Sequence, residues 1–378
     1  MRATESLPRI PSGAVRSPGP DAAPLDVLET HLRFALDGEG VDLSALAALV
    51  RGADPHDLAS IVRRKRTGAF ARRLWYLYEW LTGRKLDVPE SEGRLRFALI
   101  VDPARQVALR TGTPSGRHRV IDNLPGTPRF CPMVRWTPAL RAASAHGWDV
   151  RAREIIASTH PARRPWVATW LQRSDAGSSF VLAGEEASAR RTASWADAIG
   201  QAGARVLTLE ELLRLQEIAY RDCPSAVLGL RRSAGDGGGA RPQDLDSLVG
   251  GVIAYAERAV CGAADPVIAA AALAFGFASI RPFVTGNGHL HRWLVHHAFD
   301  AAGYTLPGFV VPISTAMVRR VEEYRGVCGR YPSSRREPAD TYRFADMTRQ
   351  AEFLYRCLED GIEKDLHSGA SLAAVRAR

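Results

Sequence analysis

Apolar residues recur at three- and four-residue intervals along most of this chain. Leu28, Leu32, Phe34 and Leu36, then Leu43, Leu46, Leu49 and Val50, then Phe70, Leu74, Leu77, Tyr78 and Leu81 predict amphipathic helices between Leu25 and Gly83. In the second half the pattern returns with clear start signals. Thr208 followed by Glu211 forms a capping box ahead of Leu212, Leu215, Ile218 and Ala219, and Pro242 opens a helix carrying Leu245, Leu248, Val249, Val252, Ile253 and Ala256. Asp265-Pro266 is an N-cap followed by an N1 proline, and the run it opens reaches Ile280 with almost no polar side chain, which predicts a helix buried on every face. A helix over His289 to Ala302, stopped by Gly303, and a last one over Arg343 to Leu366 complete the series. Two short apolar runs between Leu95 and Leu109 flank Asp102-Pro103 and predict a small hairpin. No strand-helix alternation supports a parallel sheet. The predicted class is therefore mainly α: a helical bundle around the Val267 helix, with an N-terminal helical region and at most a small β-hairpin.

Composition narrows the function classes. The chain of 378 residues is 46% hydrophobic and carries a formal charge of +9, with Lys65, Lys85 and Lys364 its only lysines. Net positive charge attracts anions, but an arginine bias spread through an Ala- and Gly-rich chain follows genome composition better than a nucleic-acid stripe, so no specific nucleic-acid partner is expected. Trp75, Tyr76, Tyr78 and Trp80 are read as helix packing rather than a base-stacking platform. The five cysteines, Cys131, Cys223, Cys261, Cys328 and Cys357, show no paired spacing, which points to a reduced cytoplasmic setting. Residues 1–25 are rich in Pro, Arg, Ser and Gly without an apolar stretch, and are expected to be a disordered tail rather than a secretory signal. The longest apolar run, Val267 to Ile280, is shorter than the roughly 20 residues a spanning helix needs, so no membrane is implied.

Candidate chemistry concentrates in Ile280-Arg-Pro-Phe-Val-Thr-Gly-Asn-Gly-His-Leu-His-Arg292. A buried helix running into Gly286-Asn287-Gly288 and then into a new helix makes an anion site, because the first amides of the second helix lack partners and the positive end of its dipole faces the turn. Arg292, one turn further on, can add a guanidinium to the same spot. His289, His291, His296 and His297 are never three or four residues apart, so no helical metal pair is predicted and the metal ligands are none.

The segment resembles the signature of the Fic family (Fido fold), His-x-Phe-x-Asp/Glu-Gly-Asn-Gly-Arg-x-x-Arg. The resemblance extends to Leu273–Ile280, His291–His297 and Tyr342–Tyr355, and upstream to Arg72–Gly83, Asp122–Gly126 and Ala198–Gly203. It implies a protein related to those that transfer AMP from ATP to a protein hydroxyl. Phe283, Gly286, Asn287 and Gly288 match. Arg281 stands where the family places its catalytic histidine, and a guanidinium cannot accept a proton. Thr285 replaces the acid that would hold Mg²⁺, and a neutral oxygen does not supply the anionic ligand a hard cation wants. His289 replaces the first arginine, leaving Arg292. Many members restrain themselves with a helix reading Ser/Thr-x-x-x-Glu-Gly/Asn; Ser179 and Gly184 fit that frame, but Ala183 sits at the glutamate, unless Glu185 or Glu186 takes its place in a shifted register. The loops Leu230 to Arg241 and Gly329 to Thr341 look shorter than the family's, the first at the target-binding flap.

The expected protein is a nucleotide- or phosphate-binding Fic relative with ATP as its ligand, Mg²⁺ in doubt, a protein target not identifiable from sequence, and weak or no catalysis. The alternative is a non-catalytic interaction scaffold or decoy on the same fold. A third reading keeps activity by using His289 or His291 as a displaced base. The resemblance divides the chain into a tail (1–25), an N-terminal helical region (26–190) with the degenerate inhibitory segment at 179–184, a Fido core (191–328) with the signature at 281–292, and a C-terminal helix (329–378).

Overall fold

The computed structural model describes residues 23–90, 95–223, 225–233, 238–260, 262–263, 265–329 and 338–375. Most of the expected tail, and parts of the loops 230–241 and 329–341, lie outside that range. The chain forms two compact units, Met1–Leu124 and Pro125–Arg378. Both are mainly α, as the apolar spacing predicts.

In the first unit, α1 (Pro24–Asp37), α2 (Leu43–Gly52), α3 (Pro55–Arg64) and α4 (Ala69–Thr82) bury Leu32, Leu46, Leu58, Leu74 and Leu77 completely. A three-stranded sheet follows, β1 (Ala98–Leu99), β2 (Thr113–Ser115) and β3 (Val120–Asp122), in the order β1-β3-β2. The hairpin is β2-β3, whereas β1 pairs with β3 in parallel. No hairpin forms around Asp102. The Asn123 side chain instead takes the backbone of Val101 on both its N–H and its C=O, at 2.8 and 2.9 Å, and the Asn123 carbonyl accepts from Leu109 N. An amide side chain thus occupies the positions a partner strand would have used.

The second unit contains α5 (Pro138–Ala145), α6 (Trp148–Ser158), α7 (Arg164–Ala183), α8 (Ala189–Gly200), α9 (Leu209–Ala219), α10 (Leu245–Ala259), α11 (Pro266–Ile280), α12 (Asn287–Ala301), α13 (Ile313–Arg319), α14 (Val321–Cys328), α15 (Ala339–Arg343), α16 (Thr348–Asp360) and α17 (His367–Val375). The start signals hold in detail: Thr208 accepts from Glu211 N, and Asp265 accepts from Ile268 N. Helix α11 packs against α10, α12 and α16 and is buried nearly from end to end. The predicted continuous helix from Arg343 to Leu366 is broken at residues 344–347. There Cys131 N donates to Arg343 O, Met133 N to Ala345 O, and Met347 N to Met133 O, so an extended segment claims the backbone groups that a helix would use internally. Beyond Asp360 the chain makes a π-helical turn, Gly361–Leu366. No described helix is long and apolar enough to cross a membrane.

Gly276 shows how tightly α11 is held. A Cβ there would lie 2.4 Å from the Phe130 ring tip, in a region with no exposed surface. Gly to Ala within a helix normally stabilises by about 1 kcal/mol. Here overpacking reverses the sign, and Gly276→Ala is expected to lower the urea midpoint by the equivalent of about 1–3 kcal/mol.

A candidate anion pocket at the start of helix α12

Helix α11 stops because Arg281 turns left-handed, at φ 50° and ψ 60°. That conformation costs a non-glycine residue about 1–2 kcal/mol, and it swings residues 282–286 away from the helix axis. Phe283 then buries against Phe277, and Asn287 ties the loop back on itself: Phe283 N donates to its Oδ1 at 3.0 Å, and its Nδ2 donates to Phe283 O at 2.8 Å. Gly286, at φ 88°, is the N-cap of α12 and offers no side chain to the first amides. A Cβ at Gly286 would approach the Tyr220 ring to 3.1 Å.

Two neighbours fix this turn. Residues 229–231 run beside it, with Arg231 N donating to Pro282 O at 2.9 Å and Val284 N to Gly229 O at 3.3 Å. Gln216 on α9 bridges both segments, donating to Thr285 O and accepting from Gly229 N, each at 2.8 Å. The Thr285 hydroxyl donates to Val227 O at 3.0 Å. Arg231 caps the end of α11 through Arg281 O and Ile280 O, where carbonyls lack helical partners, and also donates to Ala240 O.

Beneath the turn lies a buried chain of polar contacts. Arg292 Nε donates to Ser179 Oγ at 3.0 Å and its Nη2 to Ser179 O at 2.7 Å, while Nη1 reaches Tyr324 Oη at 3.3 Å. Ser179 Oγ lies 2.9 Å from His289 Nδ1, and the ionised Glu185 carboxylate near Nε2 favours the tautomer with the Ser179 proton directed to Nδ1 and the His289 proton on Nε2. That nitrogen faces Glu185 Oε1 at 3.4 Å without hydrogen-bond alignment. Glu185 is bonded to Tyr220 Oη and paired with Arg191. Burial opposes its ionisation, but His289, Tyr220 and Arg191 outweigh that and hold the carboxyl at about 2. Burial first, and the charge of Arg292 next among the lowering causes, depress His289 to about 4, so it is neutral at pH 7.

The residues of the turn open onto a cavity of about 550 Å³, within the range of small-ligand sites. Residues 206–299, from just before α9 through most of α12, match the family model described as Fic/DOC family. Those residues carry a Fic domain. No curated protein matches it. Among solved structures, a Fic family protein from Desulfovibrio desulfuricans G20 is 19% identical, with a TM-score of 0.42, covering 63% of this chain and 77% of that one. Helix α7 precedes the matched segment, so Ser179 reaches the Fic turn from outside it.

The Fic cavity gathers Arg281, Phe283, Gly286, Asn287, Gly288, His289, Arg292, Thr285 and Ala183. Ser179 lies behind it, bonded to Arg292, and Gly184 is the left-handed cap of α7 at φ 69°. The segment 179–184 is thus the last turn of a 20-residue helix rather than a short one. Sequence reasoning missed Tyr220, Arg231, Tyr324, Arg325 and Cys328, which also line the space. Nothing local marks them, because they arrive from α9, the 229–231 segment and α14.

The residues of the Fic turn do not fit Mg²⁺. Thr285 is neutral and spends its proton on Val227 O, Glu185 is engaged by Arg191 and Tyr220, and the described residues hold no cluster of three His, Cys, Asp or Glu. A hard cation asks for several oxygens with anionic charge among them. His291 is equally constrained as a base: wholly buried, it has Nδ1 fixed on Ala274 O at 2.9 Å and is depressed to about 3 by burial and by Arg292.

Proposed function

We propose that this protein binds a phosphate-containing nucleotide in its Fic pocket and transfers AMP weakly or not at all. One observation carries the reading: a permanently cationic Arg281 lines the pocket at the position where transfer needs a proton acceptor, beside a helix start whose amides no side chain caps. An α12 N-terminus with Gly288 at its second residue lets phosphate oxygens approach the backbone closely. Without a base or a metal ligand the attacking hydroxyl is not deprotonated, and the ligand is held in its ground state. The reading includes a cytoplasmic protein, supported by five cysteines without paired spacing.

A second reading, a scaffold that binds no nucleotide, is favoured by Arg292, which is 2% exposed and bonded to Ser179. One measurement separates the two. ATP at one hundred times its Kd stabilises a binder by about 2.7 kcal/mol, a melting shift of roughly 3–4 °C for a chain this size. The nucleotide reading expects that shift in the wild type and its loss in Asn287→Ala, whose Phe283 clamp is gone. A wild type whose melting temperature ignores ATP supports the scaffold. Strong AMP labelling of lysate proteins, abolished by Asn287→Ala, would overturn the inactive assignment.

A further inference from the structure

We infer that the Fic pocket takes its phosphate ligand free of divalent metal, with the Arg281 guanidinium in the electrostatic role that a bound cation would otherwise fill. The inference rests on the nucleotide reading above and adds the state in which the ligand is bound. Three independent features of the cavity support it.

The first is the charge of the lining. Arg231, Arg281, Arg292 and Arg325, the last paired with Glu322, stand against Glu185, the single acid among the described lining residues, which Arg191 already pairs. A dication entering this space meets like charge and finds no free carboxylate among the described lining residues, whereas a nucleotide carrying its full negative charge meets guanidinium groups and helix amides. The second is the fate of Thr285. Its hydroxyl is turned to the 227–231 segment, and its carbonyl is taken by Gln216, so the position that would present an anionic oxygen presents none.

The third comes from a buried imidazole. His289 Nε2 is buried without a hydrogen-bond partner and the residue lines the cavity; His291, whose Nδ1 proton goes to Ala274 O, presents a bare Nε2 and takes no part. His289 carries its proton on Nε2, which lies 3.4 Å from Glu185 Oε1 without hydrogen-bond alignment, so a ligand oxygen at the start of α12 can still take that donor. Buried polar atoms left without partners cost stability unless a ligand or water satisfies them. A donor at the α12 start suits a phosphate oxygen and repels a metal. Arg281 completes the lining, held left-handed and exposed at the end of α11.

The test is calorimetric titration of the full chain with ATP in EDTA and again in excess Mg²⁺. The expected result is binding in EDTA, weakened severalfold by Mg²⁺, because the metal withdraws two charges from the ligand. Arg281→Gln should weaken binding in EDTA about tenfold while Arg281→Lys keeps most of it, the loss corresponding to about 1.4 kcal/mol. The double change Arg281→His with Thr285→Asp should reverse the metal response, so that Mg²⁺ strengthens binding. ATP binding that requires Mg²⁺ in the wild type overturns this inference and leaves the nucleotide reading intact. No heat in either buffer overturns the nucleotide reading, and this inference with it. Should Arg281→Gln fail to fold by circular dichroism, the two wild-type titrations still decide.

Discussion

Between pH 7 and pH 5 the folded protein is expected to lose on the order of 5 kcal/mol of stability, enough to unfold many domains. Three histidines on α12 are responsible. Burial is the leading cause of depression in each: His289 to about 4, His291 to about 3 and His297 to about 4. The charges facing them differ. His289 faces Glu185, Arg292 and Arg191; His291 faces Arg292; His297 faces Glu211. In the unfolded chain each imidazole titrates near its ordinary 6.5, so as pH falls below that value the unfolded state binds three protons that the folded state refuses. The folded state loses about 1.4 kcal/mol per proton per pH unit until the folded values are reached. The stabilisation is therefore complete above about pH 6.5 and lost as pH falls toward about 4. Below pH 4.5 Glu185, held at about 2, adds to the loss in the same direction. Thermal melts from pH 7.5 to 5 should show a steep decline. A flat profile would mean that these imidazoles are already charged in the fold, and the tautomer assigned to His289 would fall with it.

Asp175→Ala is expected to destabilise the protein by about 3–5 kcal/mol. Asp175 on α7 has no exposed surface, yet its carboxylate accepts from His296 Nε2 at 2.8 Å, Ser314 Oγ at 2.9 Å and Thr315 N at 3.2 Å. One side chain therefore joins α7 to α12 and to the start of α13. Truncation leaves three donors without acceptors, two of them on the buried His296 and Ser314, at a desolvation cost that nothing repays. Asp175→Asn keeps one acceptor and should lose less. The same anchor positions Ser179 one turn later on α7, so Asp175→Ala should also weaken ATP binding. Urea denaturation with the ligand titration checks both effects; a change under 1 kcal/mol would show that the three donors find other partners.

Several parts of this protein were legible residue by residue. Thr208 and Asp265 announced their helices because capping is local: the side chain bonds amides three residues away. The unbroken apolar run from Val267 announced a central helix because no polar face remained for water. The turn from Arg281 to Asn287 was legible for the same reason, its glycines and its asparagine acting within a few residues of each other.

Other parts were not. The break at residues 344–347 depends on Cys131 and Met133, some two hundred positions earlier, and no local propensity reports it. The β1-β3 pairing likewise joins Ala98 and Leu99 to Val120 and Ile121, a separation that no local propensity reports. At the site, the amino-acid order determined that an arginine replaces the base and a threonine replaces the acid, because these are identities at fixed spacing in one segment. Only the tertiary structure decided what Arg292 touches, since Ser179 lies more than a hundred residues away, and which tautomer of His289 is favoured, since Ser179 and Glu185 face its two ring nitrogens. Chemical identity travels along the chain, but hydrogen-bond direction and burial exist only once distant segments meet.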